Sequence, residues 1–78
     1  MQQEYRWEFV EIGQGHFHSD LGDCFSEAVL KSHRRPNHIV KVEVFRPKRE
    51  VIGFLKDGEF RTPSRQKRWF IELELEKG

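Results

Sequence analysis

Two kinds of feature are scarce in this sequence: groups that can cross-link the chain and apolar runs that can enter a membrane. The single cysteine, Cys24, has no second thiol in the chain with which to form a disulfide bond. No stretch approaches the ~20 consecutive apolar residues that a membrane-spanning helix needs, and no basic segment leads into an apolar run at the start. We therefore expect a cytoplasmic protein with no membrane partner.

The sequence also lacks the motifs that mark common enzymes. The pair Gly13 and Gly15 is too short for a dinucleotide-binding fingerprint, and no serine or cysteine elbow is present. Cys24 near the start of a predicted helix would have its thiolate disfavoured by Asp20 and Asp23, and no base can be assigned to it. We therefore predict a protein that is not an enzyme and that uses no cofactor.

Apolar residues make up only 36% of the 78 residues, but two tryptophans and seven phenylalanines supply large areas for burial. A chain of this length has room for one domain, which we expect to cover residues 1–78. Its central element is predicted to be an amphipathic helix from Ser19 to His33, capped by Ser19 or Asp20 and ended by Pro36. Five residues recur at the spacing of one helical stripe: Leu21, Phe25, Ala28, Val29 and Ser32.

Alternating apolar and polar residues predict four strands, at residues 4–12, 39–45, 51–56 and 68–76. Gly53 indicates a bulge or a close approach of backbone, and Asp57-Gly58 indicates a tight turn. Residues 16–18 are either a short extended continuation of the first strand or a loop, and residues 60–67 are predicted to be a loop. The order β-α-β-β-β predicts an α+β two-layer sandwich, with one helix packed on a four-stranded, mainly antiparallel sheet whose other face is open to solvent.

Basic residues are concentrated in one part of the chain. Residues 31–68 carry twelve of the fourteen Lys and Arg residues against four acids, whereas residues 1–30 carry one base against six acids. Such segregation indicates a polarised surface. Two predicted loops and the start of the last predicted strand hold seven cations, which we call the loop cations: Arg46, Lys48, Arg49, Arg61, Arg65, Lys67 and Arg68.

If the two loops converge, the loop cations can neutralise the phosphates of a nucleic acid backbone. Phe45 and Phe70 fall on the outward side of their predicted strands, beside these cations, and exposed aromatic rings can stack on bases. The sequence therefore predicts a small non-enzymatic binding module for an anionic partner. Nucleic acid is the leading candidate for that partner, and an acidic protein surface is the other.

The alternative prediction is a protein-interaction or regulatory module that uses the open sheet face and can form a homodimer. A third hypothesis concerns the possible metal ligands near the predicted helix start, which His33 and His38 would complete if the fold brought them close. A structural zinc site usually shows more thiols or a second, well-separated ligand pair, so we predict no metal site. The ligands considered there are His16, His18, Asp20, Asp23 and Cys24.

Overall fold

The computed structural model describes residues 3–64 of the chain. One helix packs against one face of an antiparallel sheet, and the strand order in the sheet is β2-β1-β3-β4-β5. The predicted α+β, two-layer fold is confirmed. The elements are β1 (Glu4–Phe9), β2 (Gly15–His18), α1 (Leu21–Arg34), β3 (Val40–Arg46), β4 (Glu50–Lys56) and β5 (Glu59–Arg61).

The described residues contain five strands, and two of them lie outside the four predicted strands. Strand β2 pairs with β1, so that His16 lies opposite Trp7, and residues 16–18 are extended, one of the two alternatives left open. Strand β5 pairs with β4 and overlaps the start of the predicted loop at residues 60–67. Both strands are short, at four and three residues. Their own patterns carry little signal because their pairing depends on the longer neighbouring strands. The predicted final strand, residues 68–76, lies outside the described residues.

Helix α1 begins and ends close to the predicted limits. The side chain of Asp20 accepts a hydrogen bond from the Asp23 amide at 3.0 Å, which caps the helix start. At the other end, the Arg35 amide donates to the Lys31 carbonyl at 3.2 Å. Among residues 3–64 no helix is long and apolar enough to cross a bilayer.

The main core lies between α1 and the sheet. The alternation of β1 directs Trp7 and Phe9 to this side, where both are buried. Burial of a side chain such as Leu55, which has no exposed surface, contributes about 1.5–3 kcal/mol relative to exposure. The buried members of this core are Trp7, Phe9, Cys24, Ala28, Val40, Val42 and Leu55.

Gly53 marks both a bulge and a close contact, as the sequence indicated. Val42 pairs with Gly53 and Glu43 pairs with Val51, so Ile52 is the extra residue of the bulge. A Cβ atom on Gly53 would collide with the ring of Phe60. The absence of a side chain here therefore lets Phe60 lie across the sheet.

The predicted tight turn at Asp57-Gly58 is also present. Both residues have positive φ angles, 48° and 81° respectively, which suits a two-residue hairpin and explains the glycine. The Gly58 amide donates to the hydroxyl of the buried Ser32 at 2.9 Å. This bond attaches the β4–β5 hairpin to helix α1.

The face of the sheet opposite α1, which we call the second face, was expected to be open to solvent. Ile39 and Phe54 are instead buried there and pack with Val51. Glu43 on the same face is only 1% exposed, while Phe17 is 44% exposed. The second face is therefore a mixture of buried and exposed side chains.

Candidate functional site

Most loop cations within the described residues are already paired with carboxylates. Arg49 makes two hydrogen bonds to the buried carboxylate of Glu43, at 3.1 and 3.3 Å. These bonds raise the pKa of Arg49 above its ordinary value. Two further pairs join Arg46 Nε to Glu4 at 3.4 Å and Arg61 Nε to Glu59 at 2.6 Å.

Among the described residues, Arg61 is the only cation of the second predicted basic loop, and it lies away from the β3–β4 connection. The β3–β4 connection, with Arg46, Lys48 and Arg49, ends where β4 begins at Glu50. Arg61 lies opposite Phe54, four residues further along β4, which is about 13 Å at the rise of a strand. Lys48 has no carboxylate partner among residues 3–64. The remaining predicted site residues lie outside the described residues: Arg65, Lys67, Arg68 and Phe70.

Phe45 is half-buried and is covered by groups of this protein. Its ring makes an edge contact with the ring of Phe17, with centroids 4.9 Å apart. The guanidinium carbons of Arg49 and Arg46 lie 5.1 and 5.8 Å from its centroid. Cation–π contacts within the protein therefore occupy the ring that the sequence analysis assigned to base stacking.

A cleft with a volume of about 670 Å³ lies between α1 and the β1–β2 hairpin. This volume lies within the usual range of small-molecule pockets, about 300–1,000 Å³. The C-terminal half of α1 forms one side of the cleft, and residues of β1 and the start of β2 form the other. Its lining residues are Trp7, Phe9, Gln14, Gly15, His16, Glu27, Lys31, Arg34 and Arg35.

Three cations line this cleft, and we call Lys31, Arg34 and Arg35 the cleft cations. Within residues 3–64 none of the three has a carboxylate partner. Lys31 Nζ lies 5.8 Å from the Trp7 ring centroid, and Arg35 Cζ lies 5.7 Å from that of Phe9. The sequence analysis did not assign these residues to a site. The sequence feature that could have identified them is the occurrence of three cations within five residues at the C-terminal end of an amphipathic helix.

Two histidines and one glutamate meet at the edge of the same cleft. Glu27 Oε1 lies 2.9 Å from His18 Nε2 and 3.2 Å from His16 Nδ1, and the two nitrogens are 3.2 Å apart. The Trp7 indole also donates a hydrogen bond to Glu27 Oε1, at 2.5 Å. Hydrogen bonds from His18 and then Trp7 are the main causes that lower the pKa of Glu27 to about 2, despite partial burial.

The other possible metal ligands are occupied elsewhere. Asp20 caps α1, His33 Nδ1 lies 3.3 Å from Asp57, and His38 Nδ1 lies 3.3 Å from Glu11. Cys24 is fully buried in the main core. Burial, with a smaller contribution from the charge of Glu27, raises the pKa of its thiol to about 11.

Sequence reasoning identified His16 and His18 but missed Glu27. The usable signal is that Glu27 follows the buried Cys24 by three residues, and therefore borders the buried stripe of α1. In comparisons with protein-family models, with curated proteins and with solved structures, this chain has no match. A functional inference therefore depends on the geometry of the cleft.

Proposed function

We propose that this protein is a small, non-enzymatic binding module whose cleft engages the phosphate groups of an anionic partner, with nucleic acid as the leading candidate. The observation that carries the proposal is the set of cleft cations, which line one cavity and lack carboxylate partners among residues 3–64. Cys24, whose thiol is free and buried, is compatible with the reducing cytoplasm, where we propose that the protein acts.

The pairing of the cations distinguishes the cleft from the β3–β4 connection. A guanidinium that already binds a carboxylate adds little net charge to a surface, and a ligand phosphate must compete with that carboxylate. The cleft cations need no such exchange. The negative end of the α1 dipole, about half an elementary charge, offsets only part of their three positive charges.

The geometry of arginine suits phosphate as the recognised group. Arg34 and Arg35 are exposed, so their guanidinium groups can form paired hydrogen bonds to phosphate oxygens at the cleft opening. The volume of about 670 Å³ accommodates a group of roughly nucleotide size. In this arrangement one nucleotide enters the cleft while neighbouring phosphates of a strand contact Arg34 and Arg35.

The test is a titration of the protein into fluorescently labelled single-stranded and double-stranded oligonucleotides at several salt concentrations. We expect binding at micromolar concentrations or tighter, with an affinity that falls linearly with salt on logarithmic axes. Binding that is independent of salt, or no binding at low salt, would contradict the proposal. If inorganic phosphate binds the cleft and oligonucleotides do not, the partner is a small phosphate compound and not nucleic acid.

A matched pair of variants tests the location of binding. Replacing the three cleft cations by alanine removes about three phosphate contacts. For a single strand, the slope of log K against log salt concentration should then become less negative by about 2. The control replaces Arg46 and Lys48 by alanine, and should leave affinity and salt dependence nearly unchanged. Circular dichroism establishes that both variants are folded.

The second candidate function is self-association through the second face. Phe17 is 44% exposed there and lies against Phe45, so this aromatic pair provides apolar area for a contact between two copies. Sedimentation over a range of protein concentrations should show a dimer that Phe17→Ser weakens. A monomer at all concentrations would remove this candidate.

A further inference from the structure

The contacts among His16, His18 and Glu27 have the dimensions of a metal coordination sphere. Their three facing atoms form a triangle with sides of 2.9, 3.2 and 3.2 Å. With bond lengths of about 2.0–2.1 Å, ligand atoms lie about 3.3 Å apart around a tetrahedral ion and about 3.0 Å apart around an octahedral one. One ion can therefore bond all three atoms with little rearrangement.

Hydrogen bonds alone do not satisfy all three facing atoms of His16, His18 and Glu27 well. Glu27 Oε1 already accepts the indole N–H of Trp7. If both imidazoles also donate to that oxygen, two N–H groups point at the same atom while their nitrogens are only 3.2 Å apart. If only one imidazole carries a proton here, that proton can satisfy either the carboxylate or the other nitrogen, and the remaining lone pairs face one another. A cation at the centre accepts all of these lone pairs at once.

The fold holds the three side chains in place. The alternation of β2 puts His16 and His18 on the same face of the sheet, beside α1, which brings Glu27 to them. The Trp7 indole donates a hydrogen bond to Glu27 Oε1, and such bonds commonly hold metal-binding carboxylates in place. His18 is 17% exposed at its side chain, whereas His16 is 63% exposed. The pair therefore combines an anchored ligand with one at the cleft opening.

We propose that His16, His18 and Glu27 form a binding site for one divalent transition-metal ion, for which Zn²⁺ is the best match. Two imidazole nitrogens and one carboxylate oxygen suit zinc and its neighbours, whereas calcium and magnesium require mostly oxygen ligands. Three protein ligands leave at least one coordination position for water or a ligand anion. His16 and Glu27 line the cleft, so that position is accessible from it. The metal proposal does not depend on the identity of the anionic partner.

The experiment is a calorimetric titration of Zn²⁺ into the full chain after dialysis against a chelator. We expect one equivalent of Zn²⁺ to bind, with the affinity weakened at least about tenfold by His16→Ala and by Glu27→Gln. Glu27→Gln preserves the shape of the side chain, so it tests the charge with the least disturbance of the fold. The matched control, His33→Ala, removes a histidine that pairs with Asp57 and should leave zinc binding unchanged.

A measurement on the unsubstituted protein keeps the test independent of variant folding. The imidazole ¹⁵N resonances of His16 and His18 should shift on addition of one equivalent of Zn²⁺, while those of His33 and His38 remain in place. Absent or non-stoichiometric binding, equal shifts at all four histidines, or an unchanged affinity in Glu27→Gln would each overturn the proposal.

Discussion

The second face and the cleft both carry charged side chains, but they differ in whether those charges have partners. On the second face, Arg6 binds Glu8 at 2.7 Å and Lys41 approaches the same carboxylate at 3.4 Å. Burial acts to raise the pKa of Glu8, but the hydrogen bond and charge of Arg6, together with Lys41, lower it overall. At the cleft, Lys31 and Arg34 have no carboxylate partner among residues 3–64.

This difference teaches that a high density of basic residues does not by itself identify a binding surface. The β3–β4 connection carries three cations within four residues. Arg49 nevertheless has a structural role there, because it hydrogen-bonds to the buried carboxylate of Glu43. The cleft also holds three cations, and none of them has a carboxylate partner among residues 3–64, so their charges remain available for a ligand. The second face is thus stabilised by charges that pair with one another, whereas the cleft cations have no carboxylate partner in the part of the chain that the structure describes.

The largest expected effect is the stabilisation of the fold by zinc. A metal that binds only the folded chain stabilises it by about 2.7 kcal/mol when the free concentration is 100 times the Kd. For a chain of this length the Tm should rise by roughly 10–20 °C. Thermal unfolding followed by circular dichroism measures this, with Mg²⁺ as the control ion that leaves Tm unchanged. An equal rise in Glu27→Gln would show that the ion binds elsewhere.

The thiol of Cys24, which is buried in the main core, should be nearly inert in the folded protein. Its pKa is about 11 instead of the ordinary 9.0, so the thiolate fraction at pH 8 is about 100-fold smaller than in the unfolded chain. Reaction with a chromogenic disulfide reagent should be at least that much slower without denaturant than with it. Because folding favours the protonated thiol, the stability it contributes is full below pH 9 and is lost as the pH rises toward 11. Equal rates in the two states would contradict the described burial.

Two arginine substitutions compare the second face with the cleft directly. Arg49→Ala should lower Tm by several degrees, because it leaves the carboxylate of Glu43, which is 1% exposed, with only Lys41 at 3.7 Å. Arg34→Ala removes an exposed arginine that has no carboxylate partner among residues 3–64, so Tm should change by at most a degree or two. Similar losses in the two variants would remove the structural distinction between the surfaces.

The features predicted correctly from the sequence are those with a strong local pattern. The periodicity and Asp20 cap of α1, the alternation of β3 and β4, and the Asp57-Gly58 turn all depend on neighbouring residues. Residues 16–18 were left open between an extended segment and a loop, and β5 was missed, because each of these short strands is defined by the strand beside it. The openness of the second face was misjudged for a similar reason, since strand alternation cannot reveal the burial of Ile39 and Phe54.

The site was harder to predict because its contacts join distant parts of the chain. Glu27 meets His18 across nine residues and Trp7 across twenty. Arg49 reaches Glu43 across the β3–β4 connection, next to the bulge at Ile52. Local sequence patterns do not indicate contacts between residues so far apart in the chain. The sequence therefore revealed the basic residues but not the carboxylates with which they pair.

The most direct test of the cleft as the binding surface is a ¹H–¹⁵N NMR titration of the full chain with a single-stranded oligonucleotide at low salt. We predict that the largest shifts occur at residues 14–16 and 27–35, the segments that contain most of the cleft lining and all three cleft cations. Shifts confined to residues 46–49, 59–61 or the loop cations beyond them would contradict it. In that case the basic loops, and not the cleft, would be the binding surface.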